Sequence, residues 1–233
     1  MAMRRVTQAV LPFPRRGGQR KGAGRPRRDG RVGVTGSSHL ARPRLDGRTP
    51  VHVTLRLRRD VPSLRSQRGM KVVWRVFAAA RDRLGMRLVH WAAQRDHLHL
   101  IVEPESEKAL ARAVQGLCIR FAKQLNRALG RRGPVFAERY HGVSLGSPRQ
   151  ARNALAYVLL NERHHAADRG EHLSAGLDPC SSSPCFEGWT RPRAPTPGPW
   201  SSTVANATTW LLRKGWTRHG LVDPLEVPGR RKR

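Results

Sequence analysis

The run Asp96-His97-Leu98-His99-Leu100-Ile101-Val102 sets two histidines one residue apart inside a short apolar stretch. On a β-strand, residues i and i+2 point to the same face, so His97 and His99 would lie side by side while Leu98 and Leu100 enter a core. Two neighbouring imidazoles form half of a metal site, because a cation needs at least one further protein ligand. The run therefore predicts a strand between a hydrophobic core and a polar site. A third ligand and a nucleophile must come from elsewhere in the chain.

Hydrophobic periodicity predicts the order of the elements in the globular part of the chain. We expect a strand at 51–57, a helix at 70–84, strands at 88–93 and 97–102, a helix after Ser106, a strand at 139–145 and a helix after Ser147. The last helix has the clearest start, because Ser147 can cap it, Pro148 suits its first turn and Gln150 completes a capping box. The expected fold class is α+β: a ferredoxin-like split βαβ sandwich, an antiparallel sheet with two helices on one face, plus a C-terminal helix that bears Tyr157.

Basic residues far outnumber acidic ones, for a formal net charge of 45 − 16 = +29. Such a charge indicates a polyanionic partner, and we favour nucleic acid over an anionic membrane surface because no strongly amphipathic basic helix stands out. The three cysteines lack the spacing of a disulfide framework, and no apolar run has the length of a signal peptide or a membrane span. We expect a cytoplasmic, nucleoid-associated protein that binds DNA and no membrane.

Composition divides the chain into three parts. Residues 1–49 are rich in Gly, Arg and Pro, which predicts a disordered basic arm. Within it, a Gly-Arg-Pro segment resembles an AT-hook whose Arg25 and Arg27 would enter the minor groove of A·T-rich DNA, although a tail that contacts only phosphates explains the same residues. Residues 50–172 form the predicted globular domain. Residues 173–233 are predicted to be a Pro- and Ser-rich linker and basic tail, with one short helix at most.

A candidate nucleophile lies on the last helix of the globular domain. On a helical wheel, Tyr157 falls opposite the apolar stripe that contains Leu155 and Leu159. Asn161 and His164 share the face of Tyr157, and an amide oxygen suits a hard cation. When this helix is considered alone, Tyr157 could equally pack on a neighbouring sheet or face solvent.

The His-hydrophobic-His strand, the basic helix after it and a later helix with Tyr157 and Asn161 four residues apart together resemble the single-tyrosine HUH transposases. Within this IS200-like superfamily the likeness is to the branch of REP-associated tyrosine transposases. It runs from His52-Val53-Thr54 through 97–103 to 156–161, with the elements in the matching order.

The resemblance implies a role for each matching residue. His97 and His99 match the metal-ligand pair, Asn161 matches the third ligand and Tyr157 matches the nucleophile. His164 is the reserve for the third ligand because it shares the face of Tyr157. The implied metal is Mg²⁺ or Mn²⁺, and the implied substrate is single-stranded, hairpin-bearing DNA. Attack by the tyrosine would leave a 5′-phosphotyrosine and a free 3′-OH, and the reverse reaction would complete strand transfer. The implied function is that of a DNA nickase and strand transferase in DNA transposition, as a monomer or a homodimer.

Two positions depart from the family pattern. Asp96 stands where the family often has Asn; it either supports an imidazole or is a turn residue, and we favour the turn. The Pro-Val pair common after the third-ligand position is missing, because Asn161 is followed by Glu162-Arg163. We expect His141 and His165 to be surface groups.

The helix after Ser106 carries a row of basic residues that predicts a surface for DNA phosphates. These are Arg112, Arg120, Lys123, Arg127, Arg131 and Arg132. An unpaired base could stack on Trp91, Phe136 or Tyr140, although we expect Phe136 to belong to the core.

Two other functions fit parts of the same pattern. A non-catalytic protein that binds structured DNA would keep the fold and the charge while its HUH site decayed. A histidine-triad phosphohydrolase fits less well, because the next alternate position of the strand after His99 is Ile101.

Overall fold

The computed structural model of the chain describes residues 49–171, 173, 176–191 and 198–229. Its centre is an antiparallel five-stranded sheet with the strand order β2-β3-β4-β1-β5. The strands are β1 (Val51–Arg56), β2 (Asp82–Arg83), β3 (Met86–Ala93), β4 (His97–Pro104) and β5 (His141–Ser144). Apart from the two-residue β2, this is the order of a ferredoxin-like sandwich, and the predicted fold class is confirmed.

Helices α1 (Gln67–Ala80) and α2 (Glu107–Leu129) pack together on one face of the sheet. Ser66 and Ser106 cap their starts by accepting hydrogen bonds from the backbone N–H groups three residues later. Their apolar stripes meet alternate residues of the strands in the main core, which includes Phe77, Trp91 and Phe121. Each fully buried large apolar side chain contributes about 1.5–3 kcal/mol, so this core fixes both helices to the sheet.

Helix α1 ends earlier than the sequence predicts. Its apolar periodicity continues to Leu84, but the helix stops at Ala80 and strand β2 pairs with β3. Leu84 and Gly85 form the two-residue turn of that hairpin, with φ values of 56° and 73°. Two positive φ values in succession are typical of a type I′ turn, which matches the twist of the strands that it joins. Gly85 is therefore a hairpin residue.

Helix α3 (Pro148–Leu159) lies on the opposite face of the sheet and is followed by α4 (Asn161–Asp168). The Ser147 hydroxyl accepts from the Gln150 N–H at 3.2 Å, as predicted, while the Gln150 side chain accepts from the N–H of Gly146 at 2.9 Å. Leu155 and its apolar neighbours pack against Ile101 in a second core. The sheet is thus covered by α1 and α2 on one face and by α3 on the other.

The described residues from 176 onward pack on the domain, where the sequence indicates a linker. Phe186, Trp189 and Trp216 join the second core beside α3. The regular structure of this segment is limited to 3-10 turns and the four-residue helix α5 (Trp210–Arg213). Its apolar residues therefore lack the regular spacing from which a helix or strand is predicted. The three-part division of the chain stays a prediction, because 1–48 lie outside the described residues. None of the described helices has the length and apolarity needed to cross a bilayer.

Candidate active site

Strands β1 and β4 build one wall of the site by cross-strand pairing. Thr54 lies opposite His99 in the register, and His52 shares the face of Thr54 because it is two residues away. Nδ1 of His99 lies 3.0 Å from Nε2 of His52 and 3.3 Å from the Thr54 hydroxyl. Nε2 of His99 is buried and has no hydrogen-bond partner among the described residues. Because Nδ1 of His99 already has these two contacts, Nε2 is the atom that can bind a ligand.

His97 is held in the same manner by its neighbour. Its Nδ1 donates to Oδ1 of Asp96 at 2.9 Å, and its ring centroid lies 4.8 Å from that of His99. A carboxylate bonded to one imidazole nitrogen fixes the ring and raises the basicity of the other nitrogen. The interpretation of Asp96 as only a turn residue is therefore wrong, and its other role, the support of an imidazole, is the one that the structure has.

Tyr157 faces these histidines from helix α3. Its ring centroid is 5.2 Å from that of His99, 5.9 Å from that of His52 and 5.3 Å from that of His164. The sequence leaves open whether the tyrosine packs on a sheet, faces solvent or joins a site. The docking of α3 decides this, because it brings Tyr157, His97 and His99 to one side of the sheet.

The helix that bears Tyr157 is interrupted at Leu160, where φ is −113° and ψ is 23°. Asn161 therefore begins α4 and does not continue the helical wheel of α3. Asn161 is buried, with only 1% of its surface exposed. Neither atom of its side-chain amide hydrogen bonds to any residue within the described part of the chain. His164, the reserve ligand, instead donates from Nδ1 to the Pro228 carbonyl at 3.0 Å, and its Nε2 lies 3.5 Å from Asp168.

Three more histidines belong to this region although the sequence predicts no role for them. His52 could have been suspected, because it lies on the polar face of an alternating strand. His165, expected to be a surface group, has its ring centroid 5.6 Å from that of His97 and a buried Nε2. His141 is exposed as expected, but it lines the cleft beside Tyr157.

Two clefts meet at the tyrosine. The larger, of about 680 Å³, extends between α3 and the β1–β5 edge to the C-terminal residues 226–229. The smaller, of about 400 Å³, is lined by Arg56, Arg139 and the His97 side of the site. Both clefts share four lining residues, which are Thr54, His99, His141 and Tyr157. An extended chain could therefore enter by one cleft, pass the tyrosine and leave by the other.

Burial sets the charge of the two central imidazoles. Desolvation by burial lowers the pKa of His99 to about 2, and the neighbouring His52 is the next largest cause of this lowering. Desolvation, with His141 as the next cause, lowers the pKa of His52 to about 4. Both rings are therefore neutral near pH 7, and a neutral imidazole is the form that binds a metal.

The predicted DNA-binding residues of α2 are not part of this site. Arg112, Arg120, Lys123 and Arg127 lie on α2, which covers the opposite face of the sheet. Arg25 and Arg27 lie outside the described residues. Of the candidates for base stacking, Trp91 is fully buried and donates from its indole to Thr203, whereas Phe136 packs on the main core as expected.

The donor atoms fit a divalent cation. Nε2 of His99 and the amide oxygen of Asn161 are buried without a partner among the described residues, which is costly for polar atoms unless a ligand satisfies them. Imidazole nitrogen and amide oxygen both bind Mg²⁺ or Mn²⁺, with nitrogen better suited to Mn²⁺. His164, His165 and Asp168 form a further group whose ligand atoms lie within 4.8 Å of one another.

Comparison with known proteins finds one family model and similar solved structures. No curated protein gives a significant match to the chain. Among solved structures, a REP-associated tyrosine transposase bound to a REP hairpin is similar, at 15% identity and a TM-score of 0.49, over 63% of this chain and 82% of that one. Residues 48–159 match the family model described as "Transposase IS200 like". This stretch contains the whole sheet, His97, His99 and Tyr157. The domain at 48–159, just under half of the chain, is therefore similar to the IS200-like transposases.

Proposed function

We propose that the protein is a transposase that nicks and joins single-stranded, hairpin-bearing DNA through a 5′-phosphotyrosine intermediate, with a divalent metal. The observation that carries the proposal is the placement of His99 in ring contact with both His97 and Tyr157, where two clefts meet. A nucleophile beside a pair of metal-binding groups, at a point where a strand can pass, is what phosphoryl transfer needs.

In this proposal His97, His99 and Asn161 hold Mg²⁺ or Mn²⁺. The two histidines bind through Nε2, because Asp96, His52 and Thr54 occupy their Nδ1 atoms. Asn161 is the third ligand because its amide is buried and has no partner in the described part of the chain. When bound, the cation supplies Lewis-acid polarisation of the scissile phosphate and stabilises the leaving 3′ oxygen.

Tyr157 carries the covalent chemistry. Its phenol loses a proton as its oxygen forms a bond to phosphorus, and the bond from phosphorus to the 3′ oxygen breaks. The 3′ oxygen takes up a proton and leaves as a hydroxyl. One phosphodiester is exchanged for another, so the step needs no ATP. Attack by the 3′-OH of a second strand reverses it and joins the new ends.

The two clefts then serve the two sides of the scissile phosphate. Exposed Arg56 and Arg139 in the smaller cleft offer charge to the backbone of one flanking segment. The basic face of α2, on the opposite side of the sheet from the reacting atoms, adds affinity that is independent of sequence, and the basic residues Arg25 and Arg27 add to this affinity. The large positive charge of the whole chain supports DNA as the substrate.

A covalent adduct tests the proposal. Purified full-length protein, with Mn²⁺ and labelled single strands of the DNA that flanks its gene, should give a DNA adduct that resists denaturation. Tyr157→Phe should abolish the adduct, whereas Tyr140→Phe, at the only other tyrosine of the sequence, should leave it intact. An adduct that persists in Tyr157→Phe would overturn the assignment of the nucleophile.

The same assay separates the catalytic protein from a DNA-binding protein with a decayed site. Tight, metal-independent binding of the hairpin strands, without adduct formation in Mn²⁺ or Mg²⁺, would favour the non-catalytic function. Asn161→Ala should lower the affinity for Mn²⁺ by about tenfold if the amide is a ligand, and an unchanged affinity would remove it from the ligand set.

A further inference from the structure

His165 lies against the candidate metal ligands without any evident structural task. Its ring centroid is 5.6 Å from that of His97, in an edge-to-face arrangement. Its Nε2 is buried and makes no hydrogen bond to any residue that the structure describes. An imidazole nitrogen buried in this manner needs a partner. His99 also lacks a partner at Nε2 among the described residues, and its ring centroid lies 4.8 Å from that of His97.

The spacing of the rings suits a shared ion. A metal–nitrogen bond of about 2.1 Å places a ring centroid about 3.2 Å from the metal, so two imidazoles at 90–109° have centroids about 4.5–5.2 Å apart. The His97–His99 separation of 4.8 Å lies within this range. The His97–His165 separation of 5.6 Å exceeds it by about 0.4 Å. Among the described residues, the ligand atom of His165 already lies within 4.8 Å of those of His164 and Asp168, so the His165 side chain must rotate toward His97 to join the ion.

A separate cation on the group His164, His165 and Asp168 is the rival arrangement. Both nitrogens of His164 already have neighbours, since Nδ1 donates to Pro228 and Nε2 faces Asp168 at 3.5 Å. The side chain of Asp168 is 59% exposed. Of these three residues, only His165 combines an unpaired buried nitrogen with ring contact to a candidate ligand. This favours the ion of His97 and His99 as its partner.

We propose that His165 is an additional ligand of the ion that His97 and His99 bind, which makes the site rich in nitrogen and selective for Mn²⁺ or later transition metals over Mg²⁺. The inference rests on the metal site of the proposed function. Nitrogen donors favour the later divalent metals, whereas Mg²⁺ prefers oxygen, so a third imidazole raises the preference for Mn²⁺. His165 lies one helical turn beyond Asn161, and a bound ion would give its buried nitrogen a partner.

The test counts the nitrogens on bound Mn²⁺. Electron–nuclear double resonance of full-length protein with Mn²⁺, without DNA, should detect three histidine nitrogens. His165→Phe, which keeps a ring of similar shape, should reduce the count to two, weaken Mn²⁺ binding at least tenfold and lower the ratio of Mn²⁺ to Mg²⁺ affinity by a similar factor. His219→Phe, at an exposed histidine that lines neither cleft, is the matched control and should keep three.

Two results would overturn the inference. A count of two in the wild type that His165→Phe leaves unchanged would exclude His165 as a ligand. A second Mn²⁺ per chain that Asp168→Asn removes, but His97→Ala does not, would assign His165 to a separate site. Tyr157→Phe should keep all three nitrogens, so failure of the adduct assay does not affect this measurement. Complete absence of Mn²⁺ binding would overturn this inference and the metal of the proposed function together.

Discussion

Nε2 of His52 lies 3.0 Å from Nδ1 of His99, across the pair formed by strands β1 and β4. When Nδ1 of His99 carries the proton, it donates a hydrogen bond to the lone pair on Nε2 of His52. Nε2 of His99 then has no proton and is free to bind a ligand in the site. Thr54 supports the same tautomer from 3.3 Å. An imidazole whose second nitrogen is held by the protein is the usual arrangement for a metal ligand.

His52 should therefore be a positioning residue for His99. His52→Ala should weaken Mn²⁺ binding by about tenfold to a hundredfold, because His99 loses the partner that fixes its ring and tautomer. His52→Gln, whose amide oxygen can accept the same proton, should restore most of the affinity. Isothermal titration of the free protein measures both. Equal affinity of His52→Ala and wild type would show that the contact does not support metal binding.

The two faces of the sheet should contribute differently to the action on DNA. Arg56→Ala and Arg139→Ala in the smaller cleft should slow adduct formation at least tenfold at saturating DNA, because in the proposed mechanism these residues hold the strand beside Tyr157.

Matched substitutions on the other face, Arg112→Ala and Arg127→Ala on α2, should leave that rate unchanged. Each should reduce the slope of log affinity against log salt by about 0.7, the value for one lost phosphate contact on a single strand. The opposite pattern would mean that the reacting strand follows α2.

Glu103 should anchor the C-terminal segment. Its buried carboxylate accepts four hydrogen bonds of 2.7–2.9 Å, from the N–H and hydroxyl groups of Thr208 and Thr209 at the start of α5. Glu103→Gln places an NH₂ group against two of these donors, so we expect a loss of about 3 kcal/mol in the free energy of unfolding. Urea denaturation measures this loss, and limited proteolysis should cut near 199–216 sooner.

The matched control is Glu105→Gln, at an exposed carboxylate two residues away. It should change the free energy of unfolding by less than about 0.5 kcal/mol. Similar effects of both substitutions would show that the Glu103 network does not hold the segment.

His90 should make the stability of the fold depend on pH. Burial lowers its pKa to about 4 from an ordinary value of 6.5, so the folded protein keeps this imidazole neutral while the unfolded chain protonates it. Between pH 6.5 and 4 the unfolded state binds the extra proton, and stability falls as the pH falls, with a slope of up to about 1.4 kcal/mol per pH unit. His90→Asn should reduce this slope by up to about 1.4 kcal/mol per pH unit, because unfolding of the variant takes up one proton fewer. Denaturation at several pH values measures this, and an unchanged slope would contradict it.

The sequence determined most of the strands and helices of the domain and much of the chemistry of each element. Alternation in β1 and β4, the serine caps at Ser106 and Ser147 and the His97–His99 spacing are local patterns, and local patterns follow from backbone geometry. For this reason the fold class, the histidine pair and the helix of Tyr157 could be predicted. The end of α1 could not, because its apolar period continues through a hairpin turn.

Only the tertiary structure decided which faces meet. A helical or strand period defines the faces of one element, but the side of the sheet on which each helix docks depends on packing between distant segments. Packing placed Tyr157 beside His99, put the basic row of α2 on the opposite face, and brought His52 and His165 into the site. The break at Leu160 and the packing of the described C-terminal residues have the same origin, because they satisfy contacts with residues far away in the chain and leave no local pattern.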